Sequence, residues 1–130
     1  MSLPNISEKN NTSHARQAIG VFGEDIACRF LEKKGYIIIT RNFYVRGGEI
    51  DIIARNGHDL IVVEVKTRTS QRYGFGEEAV NGYKHKRMNK ALSQYNGPFS
   101  VRYIRFDIIA VDIDRHNSTA KIRHIKNINF

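Results

Sequence analysis

Apolar residues recur along this chain in two different rhythms. From about Ala15 to Lys34 they come at three- and four-residue steps (Ile19, Phe22, Ile26, Phe30), which predicts an amphipathic helix ended by Gly35. A neighbouring stripe of small residues, Gly20, Gly23 and Ala27, would let that helix lie close to a sheet and would hold Glu24 near the sheet face. Three runs rich in Ile, Val and Tyr then read as strands: Tyr36–Val45, Glu49–Arg55 and Leu60–Thr67. Ser70–Gly76 (SQRYGFG) reads as a loop. A second helix is expected from Glu77 to about Tyr95, with Val80, Met88, Ala91, Leu92 and Tyr95 inward, stopped by Asn96-Gly97-Pro98. Strands over Ser100–Val111 and Ala120–Ile125 complete an α-β-β-β-α-β-β order. Residues 1–13 are polar, lack periodicity and read as a flexible tail before a single domain over 14–130.

Within the second and third strands the pattern is interrupted by acids. The stretch Gly47–Arg68, GGEIDIIARNGHDLIVVEVKTR, sets Glu49, Asp51 and Glu64 inside apolar runs, with Lys66 two residues after the last. A Gly57-His58 loop pairs Asn56 with Asp59, sets Asp51 opposite Glu64, and sets Glu49 opposite Lys66. An Asn56-Gly57 loop instead makes Asp51 and Glu64 diagonal neighbours. Either register puts Glu49, Asp51, Glu64 and Lys66 on one face by period-two alternation, and Ile50, Ile52, Val63 and Val65 on the other. Like charges directly opposite destabilise a strand pair, so a positive group is expected among these acids. The competing reading is a solvated edge or a structural ion pair such as Glu49–Lys66.

A hard divalent cation answers the requirement. Mg²⁺ takes one or two carboxylates, keeps several waters and leaves room for phosphate oxygens. Lysine beside it could orient a water or stabilise charge on a phosphate, which suits metal-assisted phosphodiester hydrolysis.

Charge strengthens this direction. The 130 residues carry a net charge of +8, and 41% of them are hydrophobic, enough to fold and to favour a polyanionic partner. No run approaches the roughly 20 apolar residues of a membrane span, so a soluble, cytoplasmic protein without a membrane partner is expected. The lone Cys28 falls in the helical pattern and is read as a small buried residue. Asp107, in a strand expected to be central, admits a hydrogen-bonded structural role at least as readily as a catalytic one and is left out of the site.

At GVFGEDIACRFLEKKGY (20–36), GGEIDIIAR (47–55), VVEVKTR (62–68) and RFDIIAV (105–111) the chain resembles the uncharacterised bacterial YraN-like family, UPF0102. Through it the chain is similar to the PD-(D/E)XK nuclease superfamily and, distantly, to archaeal Holliday junction resolvases. That resemblance implies a restriction-endonuclease-like fold, a central mixed sheet flanked by helices. It implies Asp51 and Glu64 as ligands of Mg²⁺ or Mn²⁺, Lys66 as the catalytic lysine, and Glu24 as the helix-borne acid completing the site. Ile50 stands where the superfamily's name has proline. A homodimer is implied by the resemblance alone.

For DNA contact the candidates are Arg68, Arg72 and Tyr73 around the loop and Lys84, Lys86 and Arg87 on the second helix, which would bind phosphates flanking the acids. Phe75 and Tyr73 could stack on unpaired bases. The expected function is therefore a metal-dependent endonuclease acting on DNA, branched or structured DNA included. The alternative is a nuclease fold that binds nucleic acid without cutting it.

Overall fold

The computed structural model describes residues 12–69, 82–97 and 101–128. Most of the expected tail, the loop with Arg72, Tyr73 and Phe75, the start of the second helix with Val80, and the expected strand start at Ser100 lie outside the described residues.

Helix α1 spans Thr12–Lys33. Its end follows from local chemistry: Gly35 takes a φ of +92°, while Tyr36 N–H donates to the Leu31 carbonyl and Gly35 N–H to that of Glu32, both at 3.0 Å. This is the six-to-one and five-to-two pattern of a glycine-ended helix, and Tyr36 and Leu31 are buried in one core beside it. Strands β1 (Ile37–Val45), β2 (Gly48–Asn56) and β3 (Asp59–Arg68) follow as antiparallel neighbours. Helix α2 (Gly82–Ser93) crosses over to β4 (Tyr103–Asp114), which lies parallel to β3, and β5 (Thr119–Ile125) folds back antiparallel. The result is a mixed five-stranded sheet in the order β1-β2-β3-β4-β5, in the expected sequence of elements.

Each helix covers one face. On the α1 side Ala27, Cys28 and Leu31 pack on Ile52, Ala54, Ile61, Val63, Ile109 and Val111. On the α2 side Met88 and Ala91 pack on Ile50, Ile53, Leu60, Val62 and Ile108. β3 and β4 are nearly continuous in apolar residues because both their faces are covered. Both helices lie close to the sheet through glycine. A Cβ on Gly23 would fall 1.9 Å from Thr67 Oγ1, and one on Gly48 would fall 2.5 Å from the Arg87 carbonyl oxygen and 2.8 Å from the Ala91 nitrogen. Gly20, expected to share this role, meets nothing.

The hairpin between β2 and β3 resolves the two registers considered above. Asn56 pairs with Asp59, so Gly57-His58 is the loop, with Gly57 at φ +64° in the first central position. The expected common face for Ile50, Ile52, Val63 and Val65 is corrected in one member. Ile52, Val63 and Val65 face α1, but Ile50 faces α2 together with Ile53. Strand alternation thus slips at Asp51. Across from it, between the Arg41–Ile52 and Phe43–Ile50 pairs, Asn42 takes a left-handed φ of +53°.

Asp107 is a structural acid. Arg105 donates to both its oxygens at 2.8 Å, His124 Nε2 lies 2.8 Å from Oδ2, and Asn127 N–H donates to Oδ1 at 3.0 Å. Burial works to raise its pKa, but these partners prevail and hold it below the usual range. An acid with a depressed pKa stabilises the fold above its unfolded pKa and loses that contribution as pH falls through the folded one. Asp107→Asn is expected to cost about 3 kcal/mol in urea unfolding at pH 7, because it leaves a partly buried guanidinium without its carboxylate. The difference from wild type should shrink on acidification below the ordinary Asp range.

Candidate functional site

The β2–β3 ladder stops at Ile52–Val63, before the two acids meet. Beyond that point the Asp51 side chain takes over a backbone role: its Oδ2 accepts a hydrogen bond of 2.9 Å from Val65 N–H. A fork between the strands results, with Asp51 on one prong and Glu64 on the other.

Glu64 is 4% exposed and points toward α2, where Lys84 Nζ donates to its Oε1 at 2.6 Å. Among the described residues no cation pairs with Asp51 in this way. Burial raises its pKa, the Glu64 charge beside it raises it further, and Val65 N–H only partly offsets them, so Asp51 is pushed up to about 8. Glu24 approaches from α1 and adds to that rise. Its own pKa is raised by burial against the opposing pull of Arg41 and Asn42. Arg41 is committed elsewhere: its guanidinium bonds Asp25 at 2.8 Å and stays 3.8 Å from Glu24. Glu24 Oε1 is consequently buried without a hydrogen-bond partner among the described residues.

Three acids from α1, β2 and β3 therefore share one electrostatic neighbourhood that the described side chains neutralise incompletely. Asp51 and Glu64 could hold a hard cation, since Mg²⁺ needs one or two carboxylates and completes its shell with water. No cluster of three His, Cys, Asp or Glu side chains with ligand geometry occurs among the described residues, so a cation here would rest on that pair.

Lys66 lies two residues beyond Glu64 on β3, half-buried. It forms no ion pair among the described residues, and the competing Glu49–Lys66 pair is not made. Lys84, assigned by sequence to phosphate binding, is instead drawn into the acid cluster. Lys86 is exposed, Arg87 sits 5.9 Å from the Tyr83 ring centroid, and half-buried Arg68 ends β3.

Three contributors were missed by sequence reasoning. Arg41 and Asn42 act through the β1 register, which a bulge between Ile38 and Thr40 shifts by one residue. Tyr44 is paired with Glu49, is 65% exposed, and feels the charges of Glu49, Glu24 and Asp51. The available signal was the polar pair Arg41-Asn42 inside an apolar strand.

These features describe a mixed α/β protein whose central hairpin opens around a carboxylate pair, Glu64 buried and Asp51 half-buried. The chain belongs to the uncharacterised protein family UPF0102, whose sequence pattern matches residues 23–111. It is 43% identical to a UPF0102 protein of Geobacter sulfurreducens, over 88% of this chain and 91% of that one. UPF0102 proteins of Pelotomaculum thermopropionicum (38% identical; 87% and 96% covered) and Clostridium botulinum (39%; 88% and 95%) are similar throughout. No helix among the described residues is long and apolar enough to cross a membrane.

Asp51 carries a raised pKa, so the folded state binds more protons than the unfolded chain between pH 3.8 and about 8. The contribution of this group to stability is fully present below that window and is lost as pH climbs through it. Asp51→Asn should remove the slope and make the protein more stable than wild type at pH 9, by roughly 1–3 kcal/mol. Chemical denaturation across pH 5–9 would measure it; a wild-type slope equal to that of the variant would contradict the assignment.

Proposed function

We propose that this protein is a divalent-cation-dependent endonuclease of the PD-(D/E)XK type, acting on DNA and suited to branched or structured DNA. The observation that carries the reading is the Asp51–Glu64 pair at the strand fork, Glu64 buried and Asp51 half-buried, with Asp51 raised to about 8 and Lys66 on the same prong as Glu64. The α-β-β-β-α-β order, with β3 and β4 parallel across α2, supports a restriction-endonuclease-like fold. The basic side chains of α2 and the charge of +8 support a polyanionic substrate.

Asp51 and Glu64 would hold Mg²⁺ or Mn²⁺. When bound, the cation supplies Lewis-acid polarisation of the phosphoryl group and a more nucleophilic water. Lys66 orients the attacking water and stabilises charge on a phosphate oxygen. As the water oxygen forms its bond to phosphorus it gives up a proton to bulk water, one ester P–O bond breaks, and the leaving alkoxide takes up a proton from solvent. Glu24 adds negative charge that favours the cation, and Lys86 and Arg87 position flanking phosphates without reading sequence. Cutting both strands of a junction requires two such sites, which a homodimer would provide.

A second reading has its own support. Glu64 already bears a lysine ammonium at 2.6 Å, as it would in a nucleic-acid-binding module that does not cut.

Cleavage of labelled duplex, single-stranded, flap and four-way-junction DNA with Mg²⁺ or Mn²⁺ decides between them. The nuclease reading expects cleavage that is abolished in Asp51→Ala and falls about 10²-fold or more in Lys66→Met. Junction binding without cleavage under either metal would favour the binding module.

A further inference from the structure

We infer that Lys84 is a positioning residue that competes with a divalent cation for Glu64 and, once displaced, turns to a phosphate oxygen of the bound strand. The inference rests on the nuclease reading. Lys84 Nζ bonds Glu64 Oε1 at 2.6 Å, on a carboxylate the proposed cation would need. The two partners differ in exposure. The Glu64 side chain is 5% exposed on a central strand, whereas that of Lys84 is 34% exposed at the end of a flexible four-carbon stem.

Helix α2 itself is fixed. Met88 and Ala91 are buried in the sheet-facing core, and its backbone rests against Gly48 with no room for a methyl group. A change of partner therefore falls to the lysine stem. Two cations cannot share one buried carboxylate oxygen without strong repulsion, so occupancy of Glu64 by a metal ion expels the ammonium. Lys84 is then near the acids, on the helix that also carries Lys86 and Arg87, where a phosphate beside the metal would lie. The exchange places a phosphate-binding charge at the site when the cation arrives.

The test uses the full chain with Lys84→Met and Lys84→Arg. Calorimetric titration with Mn²⁺ alone is expected to give about tenfold tighter binding in Lys84→Met than in wild type, with Lys84→Arg near wild type. Binding to a four-way junction is then followed against salt, with and without Ca²⁺. Lys84→Met should lower the slope of log K against log salt by about one with Ca²⁺ and leave it unchanged without the ion. A purely structural lysine would not make that difference metal-dependent. Equal Mn²⁺ affinity in wild type and Lys84→Met, lost in Asp51→Asn, would overturn the competition and leave the nuclease site standing. Absence of Mn²⁺ binding in every form would overturn both.

Discussion

The fork between β2 and β3 is the constraint on which the rest of the site depends. A continued ladder would set Asp51 and Glu64 side by side as a like-charged cross-strand pair, an unfavourable arrangement. The chain instead lets the ladder lapse after Ile52–Val63 and gives Val65 N–H to the Asp51 carboxylate. The same lapse accompanies the slip that turns Ile50 to one face and Ile52 to the other, and the left-handed turn of Asn42 across from Asp51. An acid pair set into a strongly apolar sheet is thus the product of local backbone irregularity. The cores on both faces hold it in place.

Two helices bring unlike contributions to that fork. Gly23 lets α1 approach β3 closely enough for the neighbouring Glu24 to add charge, while Arg41 is drawn aside by Asp25. Gly48 lets α2 rest on β2, which places Lys84 on Glu64. One side intensifies the negative potential and the other moderates it. Asp51, between them, shows the balance: burial and the Glu64 charge push its pKa up to about 8. A cation bound between the acids, as proposed, would relieve this imbalance.

Much of this was legible from the residue pattern. The order of elements, the mixed α/β class, the Gly35 stop and the buried Cys28 follow from periodicity and turn residues. The nearness of Asp51 and Glu64 followed from the hairpin, once Gly57-His58 is the loop. What stayed hidden depends on irregularity or on distant packing. The bulge in β1 carries no composition signal, so Arg41 and Asn42 could not be placed. The slip at Asp51 breaks the alternation on which facing was inferred, which is why Ile50 was assigned to the wrong side. The rotation of α2 about its axis, which brings Lys84 rather than Lys86 to Glu64, is fixed by Met88 and Ala91 packing after a crossover that sequence does not orient.

Diffraction from crystals grown with Mn²⁺, collected for its anomalous signal, would show whether the fork holds a cation. The expected result is a peak beside the Asp51 and Glu64 carboxylates, with the Lys84 ammonium moved off Glu64. Crystals with no peak there, and with Lys84 still bound to Glu64, would contradict it.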